Sequence, residues 1–429
     1  MLLKHKFSIQ LILFFVWIGS ITYSIIYYLG LHKEGELLAK TTHLSINTII
    51  FAIIFSALFI QYRTYKKIKL PRLQVFWLFF AIILLMSFES IIQLKFKDVT
   101  PSLIRFLNYF GIFILAYNIR IENNAKFCIS IMKPFIMLSI ISCIGFGFYE
   151  IYIDDIQYLN NAHRLSGSFK FHQLANGMYL FTIIACTIFF KLNTKNKLLK
   201  NIIYAIIILL LTYLFLRVHS RLLFLSLFST LLVLFFIGTN RILVKFNIIL
   251  ATVYLLIAGL FLMFNFDFQP RLKNMLFSSS NYGQVDSSSK TRFEIIDNSL
   301  AAIDEKDVVF GKGLGIFNSF YAEVGDKEGV AAHNNYLLFF IEGGIIALVT
   351  YLLFEFILLF KLFRAIKSNF RLKHESDKKL IFAAATVFIG IEFLGFLLNN
   401  YYFYQSEIII WLLLGFSYPI IERKVNIHE

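Results

Sequence analysis

Apolar residues recur along the chain in long uninterrupted runs, separated by short polar connections rich in Lys and Arg. A helix needs about 20 residues to cross roughly 30 Å of hydrocarbon. Runs of about that length lie near 7–30, 44–61, 73–93, 102–119, 128–150, 172–190, 199–216, 221–238, 243–265, 334–360, 380–398 and 401–421. A helix satisfies its own backbone N–H and C=O groups inside lipid. The pattern therefore predicts an all-α integral membrane protein with about twelve transmembrane helices. Its organisation is about nine spans over 1–265 with a smaller polar loop at 151–171, one large polar loop at 266–333 containing short helices, and about three spans with a short tail over 334–429.

Composition narrows the class further. Of 429 residues, 58% are apolar, 18% aromatic and only 16% charged, which excludes a water-soluble core. The formal charge of +15 would suit a nucleic acid only if the basic residues shared one soluble face, and here they sit between spans. Alternate connections, from Lys4 and Lys6 through Arg63–Arg72 to Arg423 and Lys424, hold most of the chain's 41 Lys and Arg. The positive-inside rule, which discounts long loops such as 266–333, then puts both termini in the cytoplasm and that loop on the side away from it, as expected of a bacterial-type inner-membrane protein. The first run, Phe7 to Leu29, is longer than a signal-peptide core and lacks a small-x-small cleavage site after it, so it reads as a retained span. Cys128, Cys143 and Cys186 have no CxxC spacing and read as small core residues.

Polar chemistry has room in the outer loops 151–171 and 266–333. The cytoplasmic loop 361–379 is dense in positive charge, which fixes orientation and touches anionic lipid. No pair of matching Gly- or Pro-broken spans recurs in the two halves, which counts against a transporter. Within the large loop, SSSNYGQVDSSSK at 278–290 reads as a flexible strap. After it Thr291 and Glu294 have capping-box spacing, and Phe293, Ile296, Leu300 and Ile303 follow at helical spacing, which predicts an amphipathic helix starting at Thr291. Arg292 would then lie in the first turn, where the helix dipole prefers an anion, so either an outside anion meets both or Arg292 pairs with Glu294 or Asp297. Gly311, Gly313 and Gly315 alternate, which allows close approach to a ligand or a neighbouring helix.

His333 stands just before the apolar run 334–360, whose N-terminal end points outward, with Asn334 or Asn335 as a fitting N-cap. A helix N-terminus biases an imidazole toward its neutral form, able to accept a proton or orient a hydroxyl, and a plain interfacial histidine bonded to the loop is the alternative. Arg217 and Arg221 lie four residues apart at an outward turn, and Arg164 lies in the smaller outer loop. Cations at the membrane edge without matching acids nearby in sequence are costly unless an anion meets them, and phosphate suits the arginine fork. Asp154 and Asp155 read as a solvated loop or an acceptor contact rather than a metal site. Glu89, Glu355 and Glu392, in or near spans, either pair with an arginine or stay protonated.

The segments RLSG at 164–167, HSRLLFLSL at 219–227, TRFEI through GKGLGIF over 291–317 and HNNYLLFFIEGG at 333–344 resemble the O-antigen ligase and O-antigen polymerase family of bacterial membrane glycosyltransferases. The His333, Asn334 and Gly344 spacing matches the family pattern, while Ala347 stands where a Gly, Thr or Tyr is usual. The resemblance implies transfer of a glycan from undecaprenyl diphosphate to an acceptor hydroxyl on the periplasmic face, in lipopolysaccharide or surface polysaccharide synthesis. The acceptor is the lipid A core for a ligase, towards which the His333 spacing leans, and another lipid-linked repeat unit for a polymerase. A protein-glycosylating relative and a lipid-linked oligosaccharide flippase or other transporter are further alternatives. The implied roles are catalytic for His333, Arg292 and Arg221, and diphosphate binding for Arg164, Arg217, Arg221 and Arg292. No metal or other cofactor is required in that scheme, and no nucleic acid is a partner.

The charge pattern makes a direct prediction about topology. An alkaline phosphatase fused within 266–333 should be active and one fused after Val425 inactive, with a fluorescent-protein fusion giving the reverse; the opposite pattern would overturn the orientation.

Overall fold

The computed structural model describes residues 2–28, 35–65, 68–153, 165–166, 169, 173–190, 197–218, 287–325, 332, 334–368, 374–395 and 404–425. The described elements are all helices: α1 (Leu2–Tyr28), α2 (Gly35–Tyr65), α3 (Gln74–Ile92), α4 (Phe96–Glu122), α5 (Ala125–Tyr152), α6 (Gln173–Phe189), α7 (Lys197–Arg217), α8 (Ser287–Ala301), α9 (Glu305–Phe310), α10 (Phe317–Gly325), α11 (Asn335–Ser368), α12 (Glu375–Gly395) and α13 (Tyr404–Val425). Each predicted apolar run outside 219–286 is a helix here, and the runs at 221–238 and 243–265 lie outside the described residues. Five of the described helices are long and apolar enough to cross a membrane.

The bundle is built around α4 and α13. Gly415 lets the two backbones meet: a Cβ there would stand 2.6 Å from the Phe113 carbonyl oxygen. Small residues at such crossings let membrane helices gain dispersion contact where no hydrophobic effect operates. Trp411 of α13 then fills the centre, stacked on Tyr109 (6.1 Å) and on Phe354 of α11 (5.6 Å). Large apolar side chains such as Phe55, Leu85, Phe88 and Phe356 are exposed on the outside. Such a surface would aggregate in water, and it suits a protein whose solvent is lipid. Cys128, Cys143 and Cys186 are buried and free, as expected of core residues.

One end of the bundle is tied by polar bonds between chain-distant basic and acidic residues. Arg120 bonds Asp377 at 2.7 Å, and Glu422 accepts from the Arg72 N–H (2.9 Å) and the Tyr117 hydroxyl. Asn118 exchanges two bonds with the Lys69 backbone. These residues come from the connections that the charge pattern assigns to one side.

Two expectations are corrected. The helix expected to start at Thr291 begins at Ser287, so Ser287 to Lys290 of the expected strap are helical and Arg292 stands in the second turn, away from the strongest dipole field. Its buried face is Ile295 and Ser299, with Ile296 and, beyond the helix, Ile303 packed alongside as expected, whereas Phe293 and Leu300 are exposed. A run of apolar positions on a short helix fits more than one face, and the contact with α10 selects Ile295.

The second correction concerns the run after His333, expected to be a span with an outward N-terminus. Gly344, at φ 64° and ψ −166°, breaks α11 into a limb over 335–343 and a limb over 345–368. The Asn335 side-chain amide reaches the Tyr351 hydroxyl at 3.2 Å, 16 residues on, and the Tyr336 hydroxyl donates to Glu355 at 3.0 Å, 19 residues on. In a straight helix 16 residues span about 24 Å. The first limb therefore doubles back along the second, and the Phe339 and Tyr351 rings stack at 4.4 Å. Its N-terminus lies level with Tyr351 and Glu355, about 10–15 Å along the long limb from the fold.

Gly344 is the hinge that permits this. Its φ is left-handed, and an added Cβ would stand 2.2 Å from the Val309 carbonyl oxygen. Gly344→Ala should lower stability by at least about 1–3 kcal/mol through backbone strain, read as a drop in thermal midpoint of the detergent-purified protein. Gly145→Ala, where an added Cβ meets nothing within 4 Å, should leave the midpoint unchanged or slightly raised; equal behaviour of the two would contradict the hairpin.

Candidate functional site

Two arrangements at the end of the bundle opposite the Arg120–Asp377 tie concern the predicted site residues. The first joins α5, α7 and the RLSG loop. Glu150, near the C-terminus of α5, is fully buried. One of its carboxylate oxygens accepts from the Ser166 N–H at 3.1 Å and the Ser166 hydroxyl at 2.8 Å. The neighbouring Leu165 N–H donates to the Arg217 carbonyl at 2.9 Å. A buried carboxylate is tolerated only where donors converge on it, so Glu150 fixes where the chain emerges from the loop. Through these bonds the residue that follows Arg164 is held against Arg217, 52 positions away in the sequence. The Arg217 guanidinium lies over the Tyr213 ring at 5.2 Å, a cation–π contact that orients a partly buried charge. Tyr213 stacks on Phe148 at 6.0 Å.

The second arrangement is the folded-back limb of α11. Asn334 is its N-cap: the side-chain oxygen accepts from the N–H groups of Tyr336 (2.8 Å) and Leu337 (3.1 Å). Of the two expected candidates the cap is thus Asn334, while Asn335 turns inward to Tyr351. The positive pole of the limb is aimed into the bundle, where Glu355 takes the Tyr336 hydroxyl and interacts electrostatically with the fully buried Glu407. Glu355, of uncertain use from sequence, is thus a tyrosine's partner; Glu89 accepts from the Gln93 amide at 3.0 Å.

The GKGLG segment holds the limb in place. Gly311, Gly313 and Gly315 all have positive φ. The Lys312 and Gly313 N–H groups donate to the carbonyls of Ile341 and Glu342 at 2.9 and 2.8 Å, and the Leu314 N–H to Met86 of α3 at 3.0 Å. A Cβ on Gly311 would stand 2.4 Å from the Glu342 carbonyl carbon, so the glycines serve backbone-to-backbone contact with a helix. Glu342, 2% exposed, accepts from the Phe317 N–H at 3.2 Å and also from Gly315, with Arg105 of α4 as an electrostatic partner. One apolar cluster packs Ile295 of α8 with Phe317 and Phe320 of α10, Ala332, and Leu338 and Ile341 of the limb. Arg292 thus lies one turn before a residue that packs against the same limb Asn334 caps.

Arg164, Arg221, His333, Asp154 and Asp155 lie outside the described residues, and of Arg292 and Glu392 the helical backbone alone is described. The structure ties the neighbours of Arg164 to Arg217, and those of His333 to α8. Sequence reading missed Glu150, Glu342 and Arg105, each an ionisable residue inside an apolar run. The signal was there, because such residues are costly in lipid unless partnered, but their partners lie elsewhere along the chain: Ser166 for Glu150, and Phe317 and Arg105 for Glu342.

A described structure made of helices, with large apolar side chains exposed on its exterior, defines the class as a multi-pass membrane protein. Residues 205–352, from α7 to the long limb of α11, match the family model for O-antigen ligase, which supports the O-antigen ligase and polymerase family. No curated protein matches the chain.

Replacing Glu150 by Leu leaves the buried Ser166 N–H and hydroxyl without an acceptor, which should cost about 2–6 kcal/mol at about 1–3 for each unsatisfied group. Glu150→Gln keeps one acceptor oxygen and should cost less than half of that. Thermal unfolding of the two purified variants gives the comparison, and equal losses would remove Glu150 from this role.

Proposed function

We propose that this protein is an O-antigen ligase-type glycosyltransferase that moves a glycan from undecaprenyl diphosphate to a hydroxyl of the lipid A core. The observation that carries this reading is the O-antigen ligase match over 205–352, a stretch that spans Arg217, Arg221, Arg292 and His333. The reaction breaks the bond between the anomeric carbon and the diphosphate oxygen and forms one to the acceptor oxygen. The diphosphate leaves with growing negative charge, and Arg164, Arg217, Arg221 and Arg292 bind and stabilise it; removing one preorganised donor of this kind typically costs about 10²–10³ in turnover. His333 orients the acceptor hydroxyl and takes its proton as base. The scheme assigns its charge stabilisation to arginine and requires no metal or other cofactor.

The bond between Leu165 and Arg217 supports a shared task for Arg164 and Arg217. The Asn334 cap supports a role for His333, since that residue precedes a positive helix pole aimed into the bundle. The wider reading is of about twelve spans in the bacterial inner membrane, both termini cytoplasmic and the 266–333 loop periplasmic. Its support is the clustering of Lys69, Arg72 and Arg120 at the end away from Arg217.

The test is the lipopolysaccharide banding of a deletion strain, complemented by wild type or by His333→Ala at matched protein level. Loss of all banded forms with accumulation of lipid-linked polymer is the expected result, with no rescue by His333→Ala. A core bearing one repeat unit would make the protein a polymerase, and unchanged banding or full rescue would overturn the catalytic reading.

A further inference from the structure

An apolar groove of about 540 Å³ runs between α1 and α5, lined among others by Trp17, Ile21, Leu138, Ile141, Gly145 and Tyr149. Two of its polar groups are already bonded: the Trp17 indole N–H donates to the Ser142 hydroxyl at 3.3 Å, and that hydroxyl donates to the Ser139 carbonyl at 3.1 Å. What the groove offers a ligand is hydrocarbon surface. Leu138 to Tyr149 covers about 16 Å of helix axis, half of the roughly 30 Å hydrocarbon thickness. That depth fits a chain entering from one leaflet and is too short for a partner's transmembrane helix.

The leaflet is set by where the groove ends. Glu150, which holds Ser166, directly follows Tyr149. Tyr152, one turn beyond Tyr149, stacks on Phe148 at 5.8 Å, Phe148 stacks on Tyr213 at 6.0 Å, and Arg217 lies over Tyr213 at 5.2 Å. An aromatic ladder thus leads from the mouth of the groove to a cation, beside which the RLSG loop is bonded. A chain lying in the groove presents its head group at the level of Arg217, and charge complementarity calls for an anionic head.

We infer that the groove between α1 and α5 is the binding site for the isoprenoid chain of a polyprenyl diphosphate, whose diphosphate lies at the Arg217 corner. This rests on the proposed function. A diphosphate carries more charge than the phosphodiester of a bulk lipid, and arginine engages phosphate oxygens bidentately, so the corner favours the donor over the surrounding bilayer.

Gly145 provides the test. It faces the groove on a helix of ordinary geometry, and a Cβ added there meets nothing within 4 Å, so Gly145→Leu fills the groove without pressing on the fold. Ile141→Trp, at a position 62% exposed, fills it from a second side. The protein is reconstituted in phosphatidylcholine nanodiscs and photolabelled with a polyprenyl diphosphate carrying a diazirine on its chain, then mapped by mass spectrometry. Label within 138–149, and a tenfold or larger rise in Kd for the lipid in both variants at unchanged thermal midpoint, is the expected result. Equal labelling of that segment by a diazirine phosphatidylglycerol would make the groove a bulk-lipid surface and overturn the inference. Wild-type affinity in both filled variants, with label elsewhere, would overturn the groove while leaving the proposed function standing. Absence of binding to the wild type would overturn both.

Discussion

Every backbone group inside lipid must find its partner within the protein, and the fold at Gly344 meets that demand at the place where the chain departs from a simple span. A half-helix that ends inside the bundle exposes unpaired N–H groups at its start and unpaired carbonyls at its end. The Asn334 side chain takes two of the first, and the GKGLG backbone takes two of the second. The loop that binds those carbonyls needs left-handed residues packed flush against a helix, which accounts for the three glycines together. Helix α10, the Asp98–Ser319 contact (3.3 Å) and the cluster around Ile295 then follow from where that loop is pinned.

The acids inside the bundle obey the same economy of partners. Glu150 and Glu342 are buried; Ser166 of a loop donates to the first, and Gly315 and Phe317, at the end of the GKGLG loop and the start of α10, donate to the second, which also faces Arg105 of α4. Each therefore links an irregular segment to a rigid element: the RLSG loop to α5, the GKGLG loop to α11. Irregular backbone at a membrane site is stable only where it is buried in protein or lines a cavity, and these carboxylates fix it there. Arg217 fits the pattern from the other sign of charge, with its guanidinium on an aromatic face and its carbonyl holding Leu165. The proposed chemistry asks for cations placed in advance, and these bonds set the place of the backbone that carries them.

The helical class, the positions of the described apolar helices and the grouping of basic connections were legible in the sequence, because the hydrocarbon thickness and the positive-inside bias act on local composition. The O-antigen ligase resemblance was legible too, since its segments are short and contiguous. The start of α8 was misread because a Ser-rich run carries no apolar period, and Ser287 to Lys290 became helical through their continuity with a packed helix. The apolar face of that helix was read in part: Ile296 and Ile303 pack against the Ile295 cluster, whereas Phe293 and Leu300, at the same helical period, are exposed.

What the sequence by itself determined is therefore the class of solvent this protein lives in, the grouping of its basic connections, and the residue types available for chemistry. Only the tertiary structure decided that the run after His333 doubles back, that Glu150 organises the loop beside Arg217, and that an open groove lies at Gly145. The reason is physical. Span length and charge bias are sums over neighbouring residues, whereas a helix reversal depends on whether distant backbone carbonyls and N–H groups meet. Tyr336 with Glu355 and Lys312 with Ile341 are such meetings, and no local pattern encodes them.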